Sequence, residues 1–240
     1  MSGADTAAAY ELAHELCGEL GDEVEESVSA LYGIYLFHLV GGDALRSVAA
    51  AQDALRRAQR IDKPALLVVA HRVIGASLVM RGDLSAACEH LNQAIALYDP
   101  LRDHESAAAY GSDLKAVSLA WLGYAHVLLG KPDGALKLVH EAILFAETLK
   151  NFHGVALMLS WLSLIHLLRR EPTLALEAAQ RGLSLANQYE LGMWKNYIKA
   201  DYGAALVEAN RIQDGIDMMH QYFAGAKSLV IALIDRCTCR

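Results

Sequence analysis

A pair of short helical patterns joined by a turn recurs along this 240-residue chain, and this repeat restricts its fold more than any other feature. In the stretch 119–142, small or apolar residues recur every three or four positions on both sides of a break at 130–133. Pro132 suits the first turn of a second helix. The stretch therefore predicts two antiparallel helices, with Gly123 facing Ala135 because small side chains let two backbones approach closely.

The same spacing occurs around five turns, which lie 40, 48, 40 and 40 positions apart. The turn residues are Gly42, Gly82, Gly130, Arg170 and Asn210. Two helices per unit, at a fixed period of about 20 to 50 residues, are typical of an α-solenoid. We therefore predict an all-α, right-handed α-solenoid of about five antiparallel helix pairs with a period near 40 residues.

The repeat predicts one helical-repeat domain over residues 1–240. Its helix pairs are expected at about 23–61, 64–99, 112–150, 152–190 and 192–228. Residues 1–21 read as an orphan helix, and 229–240 as a truncated tail, because a terminal repeat normally shows a polar outer face. The apolar residues Leu229 to Ile234 then need a partner, so we expect a homodimer through this C-terminal end.

Composition excludes several function classes. A formal net charge of −7 argues against nucleic-acid binding, which needs a basic surface. The longest apolar run, about 155–168, is shorter than the roughly 20 residues of a membrane span, so no membrane partner is expected. No secretory leader is recognisable, and Cys17 and Cys88 fall within helical stripes as reduced packing residues would. These features predict a cytoplasmic protein.

The sequence shows no arrangement of residues that catalysis or a metal would require. His38, His126 and His166 occupy equivalent places, each four residues before a turn. Packed helices lie about 8–10 Å apart, too far for these rings to share an ion with bonds of about 2 Å. Cys237 and Cys239 have no histidine or cysteine partner nearby. We therefore predict no catalytic residue, no metal, no cofactor and no enzymatic activity.

The first helices of stacked hairpins are expected to line an inner, concave wall. This wall is apolar with few polar points, which is typical of a binding surface. The predicted partner-binding residues are Tyr32, Leu36, Arg72, Val79, Met80, Tyr124, Val127, Leu128, Ser160 and Leu164. Arg72 could bind a carboxylate or phosphate through its forked guanidinium, or could pair with an acidic neighbour of the same chain.

One joint, 98–113, is longer than the others and supplies the eight extra residues of the second spacing. Insertions in repeat arrays map to loops and often carry function. Arg102, His104 and Tyr110 are the predicted ligand-binding residues of this insertion. The alternative is a solvated linker with local helix caps.

The small-residue spacing resembles that of tetratricopeptide repeats (TPR), although the units here are nearer 40 residues than the usual 34 or so. A closer resemblance is to the C-terminal helical-repeat region of bacterial signalling proteins that carry class III adenylate/guanylate cyclase and P-loop ATPase domains upstream. The resembling stretches are AHELCGELGD at 13–22, HLVGGD at 38–43, residues 70–100, HVLLGKPDGAL at 126–136 and HLLRREP at 166–172. No cyclase aspartates and no ATPase phosphate loop occur here, so neither activity follows.

These observations predict a non-catalytic, TPR-like protein–protein interaction module. It would bind a peptide or a partner domain in the apolar groove. The resemblance implies a bacterial signalling context, with the upstream cyclase and ATPase domains as partners. The alternative is a small-molecule sensor whose ligand lies between the groove and the 98–113 insertion.

Overall fold

The computed structural model describes residues 9–13, 15–17, 24–103, 110 and 112–220, with the backbone alone at 192–194, 196 and 197. Within these ranges the chain forms helices and turns and no strand. The long helices among the described residues are α1 Glu26–Val40, α2 Ala44–Ile61, α3 Pro64–Arg81, α4 Leu84–Leu97, α5 Leu114–Leu128, α6 Pro132–Thr148, α7 Phe152–Leu168, α8 Pro172–Gln188 and α9 Gly192–Glu208. Residues 9–13, 15–17 and 212–220 are also helical. Most of the orphan helix, His104 and the tail with Leu229 to Ile234, Cys237 and Cys239 lie outside the described residues.

The described helices belong to two compact units, and the boundary falls inside α5, between Trp121 and Leu122. In the first unit α1 packs on α2, α2 on α3 and α3 on α4, and α1 also contacts α3. In the second unit α6 packs on α7, α7 on α8 and α8 on α9, and α7 also contacts α9. A first helix therefore contacts both its own second helix and the first helix of the next pair, as stacked hairpins require.

The helices end at left-handed residues that recur every 20 positions within each unit. These residues are Gly42, Asp62 and Gly82 in the first unit, and Gly130, Lys150, Arg170, Glu190 and Asn210 in the second. All five predicted turn residues are among them. At most of these ends the next amide donates to a carbonyl five residues back, as from Asp43 to His38 at 2.9 Å and from Glu171 to His166 at 2.9 Å. This closure satisfies carbonyls that a helix end would leave unpaired.

Within a pair, a small residue of the first helix lies against a backbone carbonyl of the second, 12 residues further along the chain. The pairs of residues are Gly75 with Ala87, Gly123 with Ala135, Ser163 with Ala175, and Gly203 with Gly215. A Cβ atom added at Gly203 would lie 2.9 Å from the carbonyl oxygen of Gly215, so the approach leaves no room for a side chain. The recurring small residues of the sequence therefore set how closely the two helices approach.

Carboxylates fix both ends of the 98–113 insertion. At its end, the Tyr98 hydroxyl donates to Asp113 Oδ2 at 2.6 Å in a buried hydrogen bond. Asp113 Oδ1 accepts from the amides of Lys115 and Ala116 and so caps α5. At its start, the buried Asp103 carboxylate accepts from the amide of Asp99.

One helix, α3, is long and apolar enough to cross a membrane by length and composition, among the residues that the structure describes. Of this 18-residue helix, 72% is buried inside the protein. Every residue from Val68 to Val79 is buried, including Arg72. The helix is largely apolar on all its faces because it packs against α1, α2 and α4.

Candidate binding sites

In the first unit, the predicted groove residues differ in how far they reach the surface. Leu36 on α1 and Met80 on α3 are exposed, and Tyr32 is half-buried. Arg72 and Val79 are buried, although both were predicted to face a groove. The surface that this unit offers therefore lies at the C-terminal ends of α1 and α3.

In the second unit, Leu128 is exposed, while Tyr124, Val127, Ser160 and Leu164 are half-buried. The ring of Tyr124 contacts the ring of Trp161, with the centroids 5.8 Å apart. Two first helices, α5 and α7, therefore present neighbouring apolar and aromatic side chains.

An exposed apolar side chain occurs two residues before the turn in four first helices. These residues, with their exposed fractions, are Val40 at 68%, Met80 at 48%, Leu128 at 45% and Leu168 at 43%. Met80 and Leu128 were among the predicted binding residues, whereas Val40 and Leu168 were not. Counting back from each turn would have found them, because all four share one position of the repeat.

Ser160 donates a hydrogen bond to Asp201 on α9. Burial raises the pKa of the Asp201 carboxyl to about 6, and the bond from Ser160 opposes that rise. Asp201 was not predicted as a site residue. A single aspartate within a helix gives no sign in the sequence that its carboxyl will be buried.

Arg72 lies beneath two tyrosine rings of α1. Its guanidinium carbon is 5.1 Å from the ring centroid of Tyr32 and 5.6 Å from that of Tyr35. The side chain is buried, and its Nε and Nη2 atoms have no hydrogen-bond acceptor among the residues that the structure describes. No ion pair joins Arg72 to an acidic residue in that part of the chain, so the acidic neighbour considered in the sequence analysis is not found there.

The structure separates two of the predicted insertion residues. Arg102 donates to Asp103 and to the carbonyl of Leu97. Tyr110 lies against Tyr32 instead, with ring centroids 4.8 Å apart, and its carbonyl accepts from the Tyr32 hydroxyl at 2.9 Å. Tyr32 therefore contacts both the insertion and Arg72, whereas Arg102 is held by its own end of the insertion.

A histidine pair joins α3 to α4. His71 Nδ1 lies 2.9 Å from His90 Nδ1, and the two rings are stacked. Burial, together with the neighbouring His90, lowers the pKa of His71 to about 4, and burial also lowers the pKa of His90. The pair is therefore neutral near pH 7, with one ring donating to the other. Among the described residues no group of three or more potential metal ligands occurs.

Open clefts also lie among the described residues of the second unit. A cleft of about 470 Å³ is lined mainly by polar side chains of α8, among them Glu177, Gln180 and Arg181. Another, of about 420 Å³, is lined by Leu167, Leu168, Arg170, Ala204, Val207, Glu208 and Met219. The second cleft adjoins the exposed Leu168 and so extends the apolar surface of α7 towards α9.

No family model and no curated protein sequence matches the chain. The crystal structure of BtubC (BKLC) from P. vanneervenii superposes with a TM-score of 0.64 at 16% identity, covering 95% of this chain and 92% of that chain. A kinesin light chain structure with nearly identical TPR-like repeats, from Podosopora anserina, gives a TM-score of 0.56 at 11% identity, covering 86% of this chain and 98% of that chain. At these identities the similarity shows the fold alone.

The fold and the comparisons define the class of protein. The chain is an all-α, TPR-like helical-repeat protein of the α-solenoid class, as the repeat predicted.

Proposed function

We propose that this chain is a non-catalytic module that binds a protein or peptide through the exposed apolar side chains of its first helices. The supporting observation is the exposed apolar residue two positions before the turn, which recurs at Val40, Met80, Leu128 and Leu168. Folding alone does not require an apolar residue at an exposed position. Where such side chains form a patch within one unit, that patch usually marks an interaction site.

The partner surface proposed for each unit combines this position with neighbouring groove residues. In the first unit it consists of Tyr32, Leu36, Val40 and Met80, and in the second of Tyr124, Val127, Leu128, Ser160, Leu164 and Leu168. Ser160 and the two tyrosines supply the polar points, which would orient a partner on an otherwise apolar surface. Val79 supports this surface from beneath.

The resemblance to cyclase–ATPase signalling proteins suggests which partners to test first. We propose a cytoplasmic role in bacterial signalling, with class III cyclase and P-loop ATPase domains as the first candidate partners. Homodimerisation through Leu229 to Ile234 concerns residues outside those described. Light scattering on the full chain, and on a variant with Leu229 and Ile234 replaced by Asp, would test that separate expectation.

A capture experiment with matched variants tests the proposed surface. The chain is immobilised as wild type, as the double variant Leu128→Asp/Leu168→Asp, and as the control Leu144→Asp/Leu174→Asp, whose exposed leucines lie on the second helices α6 and α8. We expect the wild type and the control to retain cyclase or ATPase domains, and the first variant to lose them. Retention by the first variant with loss by the control would place the partner on the second helices and contradict the proposal.

A further inference from the structure

We propose that Arg72 anchors a ligand site in the first unit and that this site takes a small organic carboxylate. The inference goes beyond protein binding, because the site lies beneath the surface rather than on it. It starts from one observation: only 5% of Arg72 is exposed, and its Nε and Nη2 atoms are buried without an acceptor among the described residues. The guanidinium of an arginine keeps its proton in proteins, so the unsatisfied N–H groups remain those of a cation.

The two unsatisfied atoms define the shape of the missing acceptor. Nε and Nη2 lie on the same edge of the planar guanidinium, and their N–H bonds point in parallel. The two oxygens of a carboxylate match this edge and can accept both hydrogen bonds at once. A carboxylate gives each N–H an oxygen of its own, whereas an acceptor with one oxygen must share it between the two hydrogen bonds.

The neighbouring rings stabilise the cation but do not neutralise it. Tyr32 and Tyr35 place their ring faces about the guanidinium at 5.1 and 5.6 Å, within reach of a cation–π interaction. Burial raises the pKa of the Tyr35 phenol, and the charge of Arg72 and a side-chain hydrogen bond with Arg72 oppose that rise. Tyr35 is therefore a neutral hydrogen-bonding neighbour of Arg72 and not a counter-ion, and Nε and Nη2 stay without an acceptor among the described residues. A buried charge without a counter-ion is unfavourable, and a bound carboxylate would supply the missing negative charge.

Tyr35 and Arg72 both differ from the residues that the other repeats have at their positions. Where other pairs have Gly75, Gly123, Ser163 or Gly203, seven residues before the turn, the first pair has Tyr35. Where other first helices have Tyr32, Ala120, Ser160 or Ala200, ten residues before the turn, α3 has Arg72. Tyr35 is thus the largest residue at the first of these positions, and Arg72 is the only charged residue at the second. The two side chains contact each other.

The degree of burial sets the size of the ligand. Tyr32 lies over the guanidinium, and its hydroxyl is held by the carbonyl of Tyr110. A protein segment would have to displace both rings to reach Nε and Nη2. A small acid needs far less room, and an aromatic or aliphatic body would lie well against the tyrosine rings.

Thermal unfolding of the full chain tests the site, with sodium acetate, propionate and benzoate as probes and sodium chloride at matched ionic strength as the reference. We expect at least one of the acids to raise the Tm progressively with concentration, as a ligand specific for the folded state does. The rise should disappear in Arg72→Met and persist in Arg56→Met, whose arginine is exposed and paired with Asp53. Arg72→Lys, which keeps the charge but lacks the fork, should show a reduced rise.

Without any probe, Arg72→Met should unfold at the same temperature as the wild type or above it, because it removes a buried charge that has no counter-ion. No rise with any acid, or an equal rise in Arg72→Met, would overturn the proposal. If Arg72→Met does not fold, an undiminished rise in Arg72→Lys would overturn it instead. An equal rise with sodium phosphate would overturn the assignment to carboxylates. The capture experiment does not depend on any of these results.

Discussion

The hydroxyl of Ser163 donates a hydrogen bond to the backbone carbonyl of Ala175, 2.9 Å away on the partner helix. The same separation of 12 residues joins Gly75 to Ala87 and Gly123 to Ala135 across their own pairs. A glycine lets the facing carbonyl approach, whereas a serine fills the gap and also satisfies the carbonyl. The residue at this position therefore sets how the two helices of a pair meet.

Enlarging this residue should separate the two helices. A Cβ atom at Gly123 would lie 3.0 Å from Val139 Cγ2 and 3.2 Å from the carbonyl oxygen of Ala135. We expect Gly123→Leu to lower the free energy of unfolding by about 1–3 kcal/mol, the usual cost of overpacking. The midpoint of urea unfolding measures the loss. Lys137→Leu, on the exposed face of α6, is the control and should change stability by about 0.5 kcal/mol or less; equal losses in both variants would contradict the close approach.

Replacing a non-glycine turn residue that has a left-handed backbone with glycine should stabilise the folded protein. Lys150 has a φ of 52° at the end of α6. This conformation costs an L-residue about 1–2 kcal/mol, and glycine avoids that cost while losing more backbone entropy on folding. We expect Lys150→Gly to raise the free energy of unfolding by about 0.5 kcal/mol. Glu147→Gly, inside α6, should lower it by about 1 kcal/mol. A loss in both variants would argue against the left-handed turn.

The stability of the first unit should fall in mild acid because of His71. The pKa of His71 is lowered to about 4 in the folded protein, whereas an unfolded histidine titrates near 6.5. Between these values the unfolded chain binds more protons, so stability is lost as the pH falls from about 6.5 to about 4. Thermal unfolding across this range should show a shallower decline for His71→Asn than for the wild type. His220→Asn, at an exposed residue, should follow the wild-type profile, and identical profiles for all three would exclude this contribution.

The contribution of Asp201 to the free energy of unfolding should change with pH in the opposite direction to that of His71. Its pKa is raised to about 6 by burial, above the 3.8 of the free group. The folded state therefore binds more protons between these values, and the cost of the buried charge is fully present above about pH 6. We expect Asp201→Asn to stabilise the second unit at pH 7 by about 1–3 kcal/mol, with the gain disappearing towards pH 4. Chemical unfolding at both pH values measures this difference, and a gain independent of pH would show that the charge is not the cause.

The sequence predicts the fold class well because its signals are local and repeated. The turn residues Gly82, Gly130 and Arg170 all adopt the left-handed conformation that a helix end favours. The prediction of an all-α, TPR-like α-solenoid is confirmed by the helix packing and by the solved structures. A division into two compact units was not predicted, and periodicity gives no sign of one because the repeat continues through α5.

Burial was harder to predict than helix position. The assignment of Arg72 and Val79 to an exposed wall assumed that every first helix has one free face. Helix α3 has none, and its sequence shows this indirectly, because only His71, Arg72 and Ser77 interrupt the apolar residues from Leu66 to Val79. The partners of Tyr110 could not be predicted either, since the path of an irregular insertion depends on contacts far along the chain.

The proposed partner surface lies on the first helices and not on the second. Isothermal titration calorimetry with a cyclase or ATPase domain retained by the wild-type chain gives the dissociation constant for each variant. We expect Leu128→Asp/Leu168→Asp to weaken binding by about tenfold or more, equivalent to about 1.4 kcal/mol, and Leu144→Asp/Leu174→Asp to leave the constant unchanged. Unchanged binding in the first variant, with weakened binding in the second, would contradict a partner surface on the first helices.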